Sequence, residues 1–163
     1  GMARLGNKED ASELAFMANS GVGSEEVFAI NALAGTGDPA YEDAFRYKLG
    51  SGSHLETRLA AARALGKLGI DAGLPLVLDA LKPNQPVRQE PDDPPVDQLL
   101  RIRQLASAAA GAIGSSRAVP MLESFFKDGV DPRVQISAAR ALIEIAEKPG
   151  RSSSPFQAAL GNR

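Results

Sequence analysis

The sequence contains no cysteine and a single histidine, His54. These shortages exclude disulfide bonds, thiolate catalysis, cysteine-ligated zinc or iron–sulfur centres, and any site built from two histidines of one chain. A metal at His54 would have only carboxylates as further protein ligands, and the alternative is a solvated histidine near a helix start. We therefore predict no catalytic residues, no metal and no cofactor.

The sequence also lacks a strong charge of either sign and a long apolar run. Its 18 basic and 20 acidic side chains leave a net charge of −2, which gives no general attraction to nucleic acid or to an anionic membrane surface. Its apolar stretches fall far short of a membrane span. The length of 163 residues, 44% of them hydrophobic, predicts one globular domain over residues 2–163.

The sequence repeats itself with a period of about 31 residues. The reference unit, residues 58–81, has an alanine-rich half, a turn with Gly69 and a leucine-rich half. Aligning other glycines with Gly69 also brings further positions into register, for example Pro120 with Pro75. The aligned turn positions are Gly6, Gly37, Gly69, Gly114 and Ala146, at spacings of 31, 32, 45 and 32 residues. The longest spacing contains a 13-residue insertion.

Each half of the unit has the pattern of a helix. Leu59, Ala62 and Leu65 recur at a spacing of three, and alanine, with its high helix propensity, fills most positions between them. The second half has an apolar stripe that begins at Leu74. Two antiparallel helices of this length cannot bury both apolar faces, so successive units must stack. The sequence predicts an all-α, right-handed α-α superhelix of about four two-helix units, with eight or nine helices.

A proline-rich insertion, residues 83–97, separates the units that contain Gly69 and Gly114. Its five prolines are incompatible with a regular helix, so we expect an exposed, mobile loop. Because closure entropy grows slowly with loop length, we expect its removal to cost little stability. The pair Asp92 and Asp93 lacks the spaced ligand set of a cation site, and we interpret it as solvated.

Two further motifs have structural interpretations. Three Gly-x-Gly pairs lack the third glycine and the preceding strand of a dinucleotide loop, so we interpret them as turns between helices. Ser124 and Lys127 match the Ser-x-x-Lys pattern of acyl-transfer enzymes, but the accompanying motifs are missing. We place both on an exposed helix edge beside two core residues, Phe125 and Phe126.

One unit reads Thr57-Arg-Leu-Ala-Ala-Ala-Arg-Ala-Leu-Gly-Lys-Leu-Gly-Ile-Asp71 and continues with Leu74-Pro-Leu-Val-Leu. Copies over residues 102–126 and 134–146 follow the same pattern. Over residues 2–147 the pattern resembles the short HEAT-like repeat of the type also found in phycobilin lyase subunits. The resemblance implies a HEAT- or armadillo-like solenoid.

The resemblance also implies how units join and what the solenoid does. Arginine columns such as Arg58 and Arg103 would link neighbouring units through acidic turn residues such as Asp71. Glu26 and Gln135 replace the column arginine, which suits terminal units. Some relatives handle bilins as lyases, so a bilin- or other cofactor-handling role is the alternative function. Relatives that bind iron through His-Glu pairs are excluded because the chain has one histidine.

The outer face of the second helices is the predicted binding surface. The helical period that turns Phe45 and Val77 inward turns Tyr47 and Asp79 outward, and in resembling solenoids this face is concave. The predicted partner-binding residues are Phe16, Asp43, Arg46, Tyr47, Asp79 and Ser124, with the aromatic side chains as anchors. The alternative is that Phe16 packs on another unit and Tyr47 covers a neighbour. We predict a non-enzymatic protein–protein interaction or scaffolding module.

Overall fold

The computed structural model describes residues 23–148, and all of their regular secondary structure is helical. The α-helices are α1 (Ser24–Ala34), α2 (Glu42–Ser51), α3 (Leu55–Lys67), α4 (Leu74–Ala80), α5 (Pro95–Ile113), α6 (Val119–Glu123) and α7 (Pro132–Glu147). Short 3-10 helices, Pro39–Tyr41 and Ser116–Ala118, precede α2 and α6. The described residues form no strand and only one isolated bridge, between Glu90 and Asp93. The all-α prediction is confirmed.

The helices form two layers. The first layer contains α1, α3, α5 and α7, and each of these helices packs against the next one in the array. The second layer contains α2, α4 and α6, which pack against first-layer helices. Three helix pairs and α7 thus account for residues 23–148, and the predicted unit around Gly6 lies outside the described residues. No helix in this range has the length and apolar character that a membrane span requires.

Three of the aligned turn glycines have the backbone conformation that their position in the repeat requires. Gly37, Gly69 and Gly114 have φ angles of 69°, 81° and 78°. Glycine adopts this left-handed region without the steric cost that a Cβ brings, and it ends a helix there. These glycines therefore set the turn between the first and second helix of each pair.

First-layer helices approach one another closely at two further glycines. A Cβ added to Gly66 of α3 would lie 2.8 Å from the backbone nitrogen of Ile113 in α5. A Cβ added to Gly111 of α5 would lie 3.0 Å from the Cα of Ala141 in α7. Gly66 and Gly111 are 45 residues apart, as are Gly69 and Gly114, so they occupy the same position of the repeat. Backbone-to-backbone packing makes the first layer a compact platform.

The hydrophobic core lies between the two layers. Phe45, Val77 and Leu122 of the second layer are 1%, 0% and 0% exposed, as predicted. Of the two predicted core phenylalanines, Phe125 is buried, whereas the prediction for Phe126 is wrong because its side chain is 49% exposed. The reason is that α6 ends at Glu123, so the helical period no longer sets the direction of the residues that follow.

The proline-rich insertion is shorter than residues 83–97. Helix α5 begins at Pro95, with Pro94 at its N-cap. Proline fits the first turn of a helix because the amide that it lacks has no helical partner there, and its φ angle is already helical. The last three residues of the predicted loop therefore belong to α5.

The arginine column joins helices differently from the expectation. The Nε of Arg58 donates a hydrogen bond of 3.0 Å to the carbonyl oxygen of Leu49, near the end of α2, rather than binding Asp71. The guanidinium of Arg103 lies over the Phe125 ring, 5.9 Å from its centroid. Arg58 therefore connects α3 to the second layer, and Arg103 connects α5 to the segment that follows α6.

Candidate functional site

A cleft of about 940 Å³ lies on the first layer, beside the proline-rich insertion. On α5 its lining residues Gln104 and Ala108 lie on the side opposite to the buried Ala106 and Ala110. First-layer residues supply most of the lining, namely Ser24, Val27, Glu56, Thr57, Arg63, Arg101, Gln104, Leu105, Ala108 and Ser137. Gly23 and His54 lie just before helices, and the insertion contributes Arg88, Glu90 and Asp93. The cleft therefore spans several repeat units.

An ion-pair cluster forms the insertion end of the cleft. The two Nη atoms of Arg88 donate hydrogen bonds of 3.1 and 3.2 Å to the two carboxylate oxygens of Glu56, whose side chain is buried. The Nε of Arg88 donates to Glu90 at 2.9 Å. Arg101 donates to both carboxylate oxygens of Asp93, at 2.7 and 2.6 Å, and lies 3.6 Å from Glu56. The paired geometry of Arg88 and Glu56 fixes both side chains.

The arginines of the cluster lower the pKa values of two of its carboxylates, Glu56 and Asp93. Burial raises the pKa of Glu56, but the hydrogen bonds from Arg88 and the backbone, with the positive charges of Arg88 and Arg101, hold it below its ordinary value. The hydrogen bond from Arg101 and the nearby arginine charges lower the pKa of Asp93 as well. The hydrogen bond to Glu56 in turn raises the pKa of Arg88. Glu56 and Asp93 are therefore weak proton acceptors at neutral pH.

Gln98 anchors the insertion to the first turns of α5. Its fully buried side chain accepts a hydrogen bond of 2.8 Å from the backbone amide of Arg88. Its amide nitrogen donates to the carbonyl oxygens of Arg88 and Asp93, at 2.9 and 2.7 Å. Most other side chains of the insertion are exposed. Because Arg88 and Gln98 join it to α3 and α5, its removal would leave Glu56 buried without its main partner, so the contacts favour a higher cost than composition predicts.

A second buried charge ties α1, α2 and α3 together. Glu26 is 2% exposed and forms an ion pair with Lys48 of α2. Thr57 and Ser53 donate hydrogen bonds to the same carboxylate, at 2.9 and 3.0 Å. Burial raises the pKa of Glu26, but these partners outweigh it and hold the pKa below its ordinary value. The replacement of an arginine by Glu26 thus has a structural role.

The predicted binding residues lie on the other layer. Asp43, Arg46 and Tyr47 are exposed on α2, and Tyr47 is 63% exposed. Arg46 pairs with Glu42 at 2.7 Å. Asp79 of α4 is exposed and pairs with Lys82 at 2.7 Å. Ser124 is half-buried and donates a hydrogen bond to the Met121 carbonyl oxygen. Phe16 lies outside the described residues. None of these residues lines the cleft.

Sequence reasoning missed the residues of the cleft. The sequence favours a solvated loop for Asp93, and it gives no functional signal at Glu56, Arg63 or Arg101. Glu56 and Arg88 are 32 residues apart, so no local pattern connects them. The insertion itself was the available signal, because it breaks the repeat period at the point where it forms a wall of the cleft.

The two-layer helical array and the cleft define an α-helical repeat protein. Residues 24–90 match the family model of HEAT repeats. This segment covers the first two helix pairs and most of the insertion, so the chain carries HEAT-like repeats. A comparison with curated proteins finds no match. HEAT repeats typically serve as scaffolds for protein interactions, because stacked units present extended binding surfaces.

Proposed function

We propose that this protein is a non-enzymatic protein-interaction module that binds a segment of a partner protein in the first-layer cleft. The observation that carries the proposal is the position of the insertion, which forms a wall of a cleft of about 940 Å³ and is locked there by Arg88 and Gln98. A loop that served only to connect two helices would need no such contacts. A fixed wall on closely packed helices suits recognition of a partner, because the protein loses little conformational entropy on binding.

The chemistry of the cleft supports binding rather than catalysis. Glu56 and Asp93 are held by arginines, which lower their pKa values and occupy their oxygens. A general base needs a pKa near the working pH and a free lone pair directed at the substrate. No contact within residues 23–148 favours the bilin-handling alternative over a protein partner, so we do not propose it.

The second-layer face is a second candidate surface for the same function. Tyr47 is 63% exposed and offers a large, amphipathic contact area. Asp43 and Arg46 lie on the same helix as this anchor, Asp79 lies on α4, and Ser124 follows α6. Their hydroxyl and charged groups are already hydrogen-bonded within the chain, except for Asp43, so binding there would have to displace internal pairs. The cost of breaking these internal pairs favours the cleft as the binding surface.

A photocrosslinking experiment tests which face binds. The photoreactive residue p-benzoylphenylalanine would replace Gln104 in the cleft or Tyr47 on the second layer, each in the full chain. After irradiation in a lysate of the source cells, we expect a protein adduct from position 104. Ala108→Arg, which fills the cleft, should abolish the adduct, while Asp79→Lys should not. An adduct from position 47 alone would assign binding to the second layer, and adducts from neither position would contradict the proposed function.

A further inference from the structure

The charges that line the cleft are separated along α3. The cluster at the insertion end contains two arginines, Arg88 and Arg101, and three carboxylates, so its net charge is −1. Arg63 lies seven residues beyond Glu56 on the same helix, which places it two turns away, roughly 10 Å along the axis. Within residues 23–148 its guanidinium forms no ion pair with a carboxylate. The cleft therefore has a negative end and a positive end.

Arg63 is held in a defined position although no carboxylate of residues 23–148 pairs with it. Its Nη1 donates a hydrogen bond of 2.9 Å to the side-chain oxygen of Asn31 in α1. The amide nitrogen of Asn31 donates in turn to the carbonyl oxygen of Val27, also at 2.9 Å. Asn31 is thus fixed at both ends, and among the described residues the other guanidinium nitrogen atoms of Arg63 stay available as donors. A half-buried arginine of this kind is prepared for a carboxylate.

Apolar side chains lie alongside the charged groups. Val27 of α1 and Leu105 and Ala108 of α5 line the cleft and are half-buried, so a ligand that covers them removes further apolar area from water. A free anion would use Arg63 but would leave these side chains uncovered. A peptide segment can satisfy both features, because it presents charged and apolar side chains at fixed spacings.

We propose that the cleft binds a peptide segment of opposite polarity, with an acidic side chain on Arg63 and a basic side chain at the insertion end near Glu90. Glu90 is suited to the second contact, since its side chain is 46% exposed while it stays paired with Arg88. The rise along α3 from Glu56 to Arg63 is roughly 10 Å, or three residues of an extended peptide, and Arg88 joins Glu56 to Glu90 at the other end. This inference rests on the proposed function, and it adds the chemistry and the direction of the bound segment.

Selection from a library of random twelve-residue peptides displayed on phage tests the inference with the full chain as bait. We expect the selected peptides to be enriched in an acidic residue and a basic residue about three positions apart, with apolar residues between them. Arg63→Glu should remove the acidic preference and keep the basic one. Glu90→Lys should remove the basic preference and keep the acidic one. The control Arg117→Glu, which changes an exposed arginine in the 3-10 helix before α6, should leave both preferences intact.

A selected peptide carrying a fluorescent label then gives the size of the effect. Loss of one partly buried charge pair is expected to weaken binding to Arg63→Glu roughly tenfold. Replacing the acidic residue of the peptide by lysine should restore binding to this variant and weaken binding to the wild type. Thermal unfolding checks that Arg63→Glu is folded, and Arg63→Gln, which can keep a hydrogen bond to Asn31, should lose the acidic preference without reversing it.

Two results would overturn the inference. One is a wild-type selection without enrichment of acidic residues, including a selection that recovers no peptides. The other is an acidic preference that survives in both Arg63 variants. The crosslinking experiment at position 104 is independent of peptide charge, so an adduct there with either of these results would leave the proposed function standing and remove only the charge assignment.

Discussion

Substitution of Gly66 by alanine tests the close packing of the first layer, and Gly50→Ala is its matched control. A Cβ at Gly66 would meet the backbone nitrogen of Ile113 at 2.8 Å and the carbonyl carbon of Ala112 at 2.9 Å. Backbone atoms of a packed helix cannot rotate away, so α3 and α5 would have to move apart. Gly50 also lies in a helix, α2, but an added Cβ there has no atom within 4 Å.

The expected effects of the two substitutions have opposite signs. Overpacking costs about 1–3 kcal/mol, and the upper part of this range applies at Gly66 because the obstacle is backbone. Alanine regains about 1 kcal/mol through its higher helix propensity, so the free energy of unfolding should fall by about 2 kcal/mol. At Gly50 only the propensity gain remains, and near the helix end it should amount to about 0.5 kcal/mol.

Urea and thermal unfolding followed by circular dichroism measure both effects. With roughly 3 °C for each kcal/mol in a chain of this size, the Tm should fall by about 6 °C for Gly66→Ala and rise by about 1–2 °C for Gly50→Ala. The reasoning is refuted if Gly66→Ala is as stable as the wild type or more stable. A loss of equal size at Gly50 would show that the change acts through the helix and not through the contact between α3 and α5.

The ion pairs and the exposed second layer give three further predictions. Arg88→Met should lower the free energy of unfolding by about 1–3 kcal/mol at neutral pH, because Glu56 stays buried and charged without its main partner. Adding Glu56→Gln to this variant should recover most of the loss in urea titrations. An unchanged stability of Arg88→Met would contradict the stabilising role of the Arg88–Glu56 pair. Since the pKa values of Glu56 and Glu26 are lowered in the folded state, their stabilisation is present above the unfolded carboxyl pKa of about 4.3 and is lost as the pH falls through the lower folded values. Stability measured against pH should therefore fall less steeply in acid for Glu56→Gln than for the wild type, and identical slopes would refute this assignment. Tyr47→Ala combined with Asp79→Lys should change the Tm by no more than about 1–2 °C, because both side chains are exposed. A larger drop in Tm would show a structural role for these residues, and a loss of partner capture would place binding on the second layer.

The sequence by itself determined the helices and their order. The turn positions at Gly37, Gly69 and Gly114 follow from the repeat alone, and their left-handed φ angles confirm them. The apolar period likewise identified Phe45 and Val77 as core residues. These features are predictable because helix periodicity and glycine turns depend on residues within a few positions of one another. Where a helix ended early, as before Phe126, the same reasoning failed.

The tertiary structure decided where the cleft lies and which charges line it. Arg88 reaches Glu56 across 32 residues, and Arg63 meets Asn31 across another 32. Such contacts depend on how the first-layer helices stack and on the path of the insertion. Composition identified that segment as a loop, but the tertiary structure fixes it against α5 through the buried side chain of Gln98 and the ion pair between Asp93 and Arg101. The energy of an ion pair is set by distance and burial in space, and one-dimensional periodicity carries no information about either for residues on different helices.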